Sequence, residues 1–313
     1  MTFSLFFKNH NHGHPHLPNG LMFPRGVAFL SDGVASYSGV NFGGSVMPVP
    51  LANPDWPSIK KWVAECFGDC NPTESEYKPG TAYKRIYWPL NTSGSLHKVR
   101  DEVALTQSFV ALKLLLTKML DTFETVEPAP DNLQTYGHKT RELLLLSAME
   151  VEASWAAVLK ANGFTSNRMN TTDYVKLLVP MLLDSYSLSL TSYPGFPRFA
   201  PFEGWSSATP TQSLDWYHAY NMTKHNREEH LNVATLERAI HAVGAAIIMF
   251  FAQFGFNLGT GDEKIPVIRN TFRMVFDNDR YPTSCYIPNV SSAVGTAGHI
   301  SWEWQLVDYP LPC

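Results

Sequence analysis

The chain has 313 residues, of which 44% are hydrophobic and 17% are charged, and its formal net charge is −4. This length is sufficient for one large domain or two ordinary ones, and the composition excludes an intrinsically disordered chain. The slightly acidic balance provides no general attraction to nucleic acid or acidic membranes, so binding of RNA would require a local basic patch.

The cysteines and the apolar runs limit which kinds of metal site, which disulfides and which cellular compartment the sequence allows. Cys66 and Cys70 lack the second pair that would complete a zinc site, and four cysteines in this length do not form a disulfide framework. We therefore expect no metal, no other cofactor and a reducing, cytoplasmic setting. The most apolar run, 239–256, contains His241 and Gln253, which indicates a buried core helix and not a membrane span.

Residues 1–92 form the first predicted segment, a leader followed by short β-like runs. In residues 1–20, Asn, Gly and Pro alternate with His10, His12, His14 and His16. This pattern is typical of a solvated tail that binds metal only adventitiously. Four strands, separated by turn residues, are predicted at 26–30, 35–40, 45–49 and 82–88. With one helix at 57–67, they predict a small sheet or an extended arm over a helical body.

Residues 93–256 form the second predicted segment, because their apolar positions recur with the period of a helix. Helices at 95–125 and 131–162, joined by a proline turn, predict an antiparallel hairpin. A third helix, kinked at Pro180, is expected at 171–184. An aromatic, proline-rich connection separates it from two final helices at 211–230 and 234–256.

Residues 257–313 form the third predicted segment, a β-rich extension packed on the bundle. Its apolar alternation indicates two or three strands, at 272–276, 285–288 and 299–307. The expected fold class is therefore mainly α, a helical bundle with small β-rich N- and C-terminal segments.

The candidate site lies on the predicted helix 211–230, where steps of three and four residues group polar side chains. Asn221 and His225 share a face, Lys224 lies beside them, and Arg227 follows. A histidine moves protons near neutral pH, and a neighbouring cation stabilises charge on a phosphate. The combination suits metal-independent RNA cleavage, in which a 2′-hydroxyl attacks the adjacent phosphate. A purely structural hydrogen-bond network is the alternative, and it stays open.

The predicted helix 131–162 offers a partner for this cluster. Arg141 and Glu152 lie close to one stripe, and Glu150 and Glu152 are charges among apolar residues. A carboxylate in such surroundings requires a cation or a hydrogen-bond donor. We therefore predict a contact between Glu152 and a cationic residue of helix 211–230, with an ordinary surface position as the alternative.

The segment D-W-Y-H-A-Y-N-M-T-K-H-N-R, followed by A-T-L-E-R-A-I-H-A-V-G-A, resembles the C-terminal helices of HEPN-like proteins. These are prokaryotic helical-bundle domains of toxin–antitoxin, abortive-infection and other anti-phage systems. Many are dimeric metal-independent ribonucleases that carry an Arg, a polar residue, often Asn, and a His. Asn221 and His225 match the Asn-x3-His part, whereas the family's Arg falls where this chain has Tyr220.

The resemblance implies an RNA-cleaving or RNA-binding effector of a defence or toxin-type system that acts as a homodimer. The residues implied as catalytic are His225 as acid and base, Asn221 and Arg227. The residues implied in substrate contact are Lys224 and Tyr220, supported by Glu152 and Arg141. Lys224 or Arg227 would replace the missing arginine, or this member is not a nuclease. The competing hypothesis is a non-catalytic interaction protein in which the cluster is structural and the connection at 185–210 binds a partner chain.

Overall fold

The computed structural model describes residues 3–10, 25–31, 33–39, 47–75, 80–88, 100–166, 168–256, 264–277, 284, 286, 289–291, 299–301 and 304–311. The chain divides into two compact units. The first comprises Met1–Ala82, Trp88–Val99 and Tyr281–Val307, and the second comprises Tyr83–Tyr87, Arg100–Arg280 and Asp308–Cys313.

The first unit contains a five-stranded antiparallel sheet in the order β4-β3-β2-β1-β5. Its strands are β1 (Phe3–Lys8), β2 (Arg25–Ser31), β3 (Val34–Gly39), β4 (Met47–Pro48) and β5 (Thr73–Ser75). In the register, Leu5 lies opposite Ala28, and Ala28 lies opposite Tyr37. A Cβ at Gly26 would lie 2.3 Å from the Phe7 ring, so this close strand contact requires glycine.

Helix α1 (Trp56–Phe67) packs on this sheet and completes a separate core. Asp55 caps the helix, because its side chain accepts a hydrogen bond from the Ser58 amide at 2.9 Å. Phe67 stacks on Phe7 of β1 with ring centroids 4.5 Å apart. The predicted helix at 57–67 is therefore present and belongs to a layered sheet-and-helix unit.

The expected loop-like leader is wrong for its first part, since residues 3–8 form strand β1 between β2 and β5. Ser4, Leu5, Phe6 and Phe7 are all buried, so both faces of the strand are covered and no alternation marks it. The predicted strand at 82–88 is also wrong. Only β6 (Thr81–Tyr83) is extended there, and Arg85 follows with a φ of 55°. His12, His14 and His16 lie outside the described residues.

The second unit is built around α3 (His138–Ala161) and α7 (Leu236–Phe254), which pack along each other. Helices α2 (Glu102–Phe123) and α5 (Asp215–His225) contact both of them. Small residues let neighbours approach α7 closely: a Cβ at Gly244 would lie 2.7 Å from the Phe199 ring. The two long predicted helices at 131–162 and 234–256 are thus present, each shorter at its N-terminal end.

Several predicted helices are interrupted in the structure. The helix expected at 171–184 consists of α4 (Thr171–Tyr174) followed by two 3-10 turns, with Pro180 between them. The helix expected at 211–230 ends at His225, because Asn226 is non-helical with φ −142° and ψ 83°. Arg227 therefore lies on a separate short helix, α6 (Arg227–His230).

The C-terminal part mixes helix and strand. Helix α8 (Lys264–Thr271), absent from the prediction, leads into β8 (Phe272–Phe276), which pairs with β7 (Tyr186–Leu190). The predicted strand at 299–307 is divided between β10 (His299–Ser301), which pairs with β9 (Asn289–Ser291), and β11 (Gln305–Val307), which pairs with β6.

The fold is therefore mixed α/β, and the predicted mainly α helical bundle with small β-rich ends is wrong. About half of the described residues are helical, but they share the chain with the five-stranded sheet and smaller two-stranded ones. The physical reason is that the N-terminal strands form a unit with its own helix and core.

Two helices in the described part of the chain are long and apolar enough to cross a membrane. The apolar window of α7 is 83% buried inside the protein, as expected for the core helix predicted at this position. The corresponding window of α2 is only 28% buried. Helix α2 thus places an unusual amount of apolar surface in solvent, a feature that the sequence reading did not single out.

Candidate functional site

Helix α5 carries most of the predicted site residues, and its buried face determines what they can reach. Trp216, Tyr217, Tyr220 and Thr223 recur at helical spacing and are all buried. This face packs on α3 and α7. Tyr220 is 0% exposed, so its side chain belongs to the packing layer and is not presented to a substrate in this structure.

Glu152 on α3 is the centre of a hydrogen-bond network with this face. The Tyr217 hydroxyl donates to Oε1 at 2.5 Å, and the Tyr220 hydroxyl donates to Oε2 at 3.0 Å. Lys224 Nζ donates to the Tyr220 hydroxyl at 2.8 Å. The predicted pairing of Glu152 with a cation thus takes an indirect form, in which a tyrosine hydroxyl stands between the carboxylate and the ammonium group. We call these four residues the Glu152 network.

The protonation states in the Glu152 network agree with its geometry. Burial raises the pKa of both Tyr217 and Tyr220, which keeps their hydroxyls protonated as donors to the carboxylate. The hydrogen bond to Tyr220 raises the pKa of Lys224, which keeps the ammonium group charged. The two tyrosines and Lys224 are therefore in the protonated form that the network requires at neutral pH.

Two further predicted site residues donate hydrogen bonds to backbone carbonyl groups. Asn221 Nδ2 donates to the Tyr217 carbonyl at 2.9 Å, one turn earlier on α5. Arg141 of α3 donates to the Thr223 carbonyl at 3.1 Å, near the C-terminal end of α5. The Asn221 contact is internal to α5, whereas the Arg141 contact attaches α5 to α3.

His225 and Arg227 are the two predicted residues that the structure leaves outside this arrangement. Both are exposed, and among the described residues neither side chain has a hydrogen-bond or salt-bridge partner. Exposed Glu228 and Glu229 follow directly on α6 and offset the positive charge of the segment. The predicted cluster is thus divided into two groups. Asn221 and Lys224 make hydrogen bonds within the protein, whereas His225 and Arg227 have no side-chain partner among the described residues.

The sequence reading missed an aromatic cluster beside the Glu152 network. The Trp155 ring, 0% exposed, is surrounded by the rings of Tyr174, Phe202, Trp205, Trp216 and Tyr217, with centroids 4.9 to 6.3 Å away. Trp155 lies one turn after Glu152 on α3, so the polar and aromatic groups share one helix face. The many aromatic residues at 193–217 were the feature of the sequence from which this cluster could have been predicted.

A second missed arrangement attaches the segment Tyr83–Tyr87 to α7. Arg85 donates to Gln253 Oε1 at 2.6 Å, and the Tyr87 amide donates to the Ala252 carbonyl at 2.8 Å. Burial raises the pKa of Glu150, an effect that the nearby positive charge of Arg85 partly opposes. The second carboxylate in the apolar part of α3 therefore has a cation nearby, as physical chemistry requires.

His241 gives the fold a measurable pH dependence. Its ring stacks on Phe199 at 4.5 Å, and burial lowers its pKa to about 4 although Asp215 opposes the shift. The unfolded histidine, with a pKa of about 6.5, binds a proton that the folded one excludes. We expect the free energy of unfolding to fall by about 2 kcal/mol between pH 7 and pH 5 from this group.

Urea unfolding of the wild type and of His241→Phe at several pH values measures this contribution. The aromatic replacement retains the stack but cannot titrate, so the difference between the two pH profiles isolates His241. Parallel profiles for the two proteins would contradict the prediction.

Among the described residues no three His, Cys, Asp or Glu side chains are grouped so that they could hold a metal ion. Comparison of the chain with protein-family models, with curated proteins and with solved structures finds no match.

Proposed function

We propose that the protein is a non-catalytic interaction protein that binds a second copy of itself through α2 and α3. The Glu152 network supports the non-catalytic part of this proposal. Both carboxylate oxygens and the Tyr220 hydroxyl are already in hydrogen bonds, so the network has the character of a helix-fixing contact.

The observation that carries the proposal is an exposed apolar face on α2 and α3. Val103, Val110 and Leu114 are 68%, 53% and 61% exposed and lie along one side of α2 at steps of seven and four. Met149 of α3 is 54% exposed. We call these four residues the α2–α3 face.

A salt bridge shows that Met149 belongs beside the α2 residues. Lys118 Nζ of α2 contacts Glu142 Oε1 of α3 at 2.7 Å, on the solvent side of the helix pair. Met149 lies two turns after Glu142 on the same face of α3. Leu114 lies one turn before Lys118 on the same face of α2. Contiguous apolar surface of this kind marks interaction sites in soluble proteins.

The position of Val110 favours a second copy of the chain as the occupant. Val110 lies near the middle of α2, between the exposed Val103 and Leu114 on the same side of the helix. If two α2 helices cross antiparallel at Val110, the apolar side of each helix covers the apolar side of the other. A two-fold contact is self-complementary in this way.

Sedimentation equilibrium tests the association. We expect the wild type to have twice the chain mass of 35.1 kDa and Leu114→Glu to be monomeric, because each introduced carboxylate would be desolvated against the apolar side of the other copy. Val179→Glu is the matched control, since Val179 is 51% exposed but lies outside the α2–α3 face.

Val110→Glu makes the test specific for the crossing point. The two introduced carboxylates would meet at the two-fold axis, so this variant should also be monomeric. A wild type that remains monomeric overturns self-association, and binding of that monomer to lipid vesicles would assign the α2–α3 face to a membrane surface.

RNA contact is the second candidate function, and the exposure of His225 and Arg227 is the observation in its favour. An exposed imidazole and an exposed guanidinium group can each donate to phosphate oxygens. Incubation of total RNA with the wild type, beside His225→Ala, tests cleavage. Equal cleavage by both proteins, or none by either, rejects the nuclease hypothesis, and unchanged RNA affinity in Arg227→Ala rejects the binding hypothesis.

A further inference from the structure

A cleft in the second unit combines an apolar interior with two unpaired cations. It has a volume of about 400 Å³ and lies where α7, α8 and the β7–β8 pair meet. The apolar side chains that line it are Leu188, Ile247, Phe251, Phe256, Ile268, Phe272 and Met274. Its size and lining are those of a small-molecule site, which is usually apolar with a few polar groups.

Two arginines supply the polar groups. Arg269 on α8 and Arg273 on β8 line the cleft, and both residues are exposed. Among the described residues neither guanidinium group has a hydrogen-bond acceptor or a carboxylate partner. The third polar residue, Thr191, is already engaged, because its hydroxyl donates to the Arg269 carbonyl at 3.1 Å. The unsatisfied hydrogen-bonding capacity of the cleft is therefore cationic.

We propose that this cleft binds a single-chain anionic amphiphile, a fatty acid of medium chain length. The aliphatic tail would occupy the apolar interior, and the carboxylate would remain at the exposed arginines. Guanidinium groups bind carboxylates through paired hydrogen bonds, which fits the charge of the head group. The apolar rings and branched chains in the interior fit an unsubstituted hydrocarbon tail, since they offer it no polar partner.

Titration calorimetry with dodecanoate, below the concentration at which it forms micelles, tests the proposal. We expect saturable binding with one site per chain. Acetate, which has the charge without the tail, should not bind. Dodecanol, which has the tail without the charge, should bind roughly tenfold more weakly or worse, because it lacks the charge-assisted hydrogen bonds.

Variants locate the binding site. Arg269→Ala and Arg273→Ala should each weaken dodecanoate binding about tenfold. Met274→Trp, which fills part of the cleft, should prevent binding. Arg168→Ala is the matched control, since Arg168 is also exposed and does not line the cleft. Circular dichroism of each variant confirms that the fold is retained.

Three results would overturn the proposal. They are the absence of dodecanoate binding, equal affinity for dodecanol, and unchanged affinity in both arginine variants. Sedimentation with vesicles of phosphatidylcholine and phosphatidylglycerol separates the free amphiphile from a lipid head group as the source of the anion. Binding to vesicles without binding to dodecanoate would assign the arginines to a membrane surface and also overturn the proposal.

Discussion

Replacement of Trp155 by alanine is expected to lower the free energy of unfolding by about 4 kcal/mol. The Trp155 ring is fully buried and stacks on Trp205 at 4.9 Å, with Tyr174 at 5.1 Å and Tyr217 at 5.4 Å. Its removal leaves a cavity among rings that belong to α4, α5 and the connection before α5. These rigid side chains cannot collapse into the space, so the loss lies near the upper end for a core substitution.

Phenylalanine replacements distinguish packing from hydrogen bonding. The Trp155 indole N–H is buried without an acceptor among the described residues, whereas the Trp216 indole N–H donates to the Pro201 carbonyl at 2.9 Å. Trp216→Phe removes that hydrogen bond, so we expect it to lower the free energy of unfolding by about 1 kcal/mol more than Trp155→Phe does. Urea unfolding measures all three variants. A larger loss in Trp155→Phe than in Trp216→Phe would show that the Trp155 indole has a partner.

The long helices of the second unit were predictable because strong local signals mark them. Apolar residues recur at helical spacing through α3 and α7, and Gly163, with a φ of 83°, lies just beyond α3, where the prediction ends the helix. The interior of α7 is apolar on all sides, and it is buried as that pattern requires.

The N-terminal sheet was predictable only in part. The strands predicted at 26–30, 35–40 and 45–49 correspond to β2, β3 and β4, whereas β1 and β5 were not predicted. Strand β1 pairs with β5, about 70 residues later in the chain, and burial on both faces removes the alternation that identifies a strand. Whether a short apolar run joins a sheet depends on partners that only the fold brings together. The mixed α/β class follows from those distant pairings, and no motif in the sequence records them.

The position of the polar cluster on α5 was predictable, but the hydrogen bonds that its members make were not. Charge reasoning assigned a cation to Glu152, yet the donors to its carboxylate are tyrosine hydroxyls. Tyr217 and Tyr220 are three residues apart and face α3 together, so both hydroxyls reach one carboxylate. Lys224, one turn after Tyr220, then extends the network outward. A tyrosine on an apolar helix face is ordinarily read as core, so its hydroxyl is easily overlooked as a donor.

Replacement of Glu152 by alanine is expected to lower the free energy of unfolding by about 3 kcal/mol. The reason is that Tyr217 and Tyr220, whose rings are buried, would lose the acceptor of both hydroxyls. Glu142→Ala is the matched control on the same helix. It removes only a surface salt bridge to Lys118 and should cost less than about 1 kcal/mol.

Removal of the hydroxyls in the Glu152→Ala background decides whether this loss comes from unsatisfied donors. Tyr217→Phe and Tyr220→Phe, added together to Glu152→Ala, should recover about half of the lost stability, because apolar groups at both positions leave no buried hydroxyl unpaired. In the wild-type background the same pair of substitutions should destabilise, since the carboxylate then loses both donors. If the phenylalanine pair has the same effect in both backgrounds, Glu152 and the tyrosines are not coupled, and the network does not hold α5 against α3.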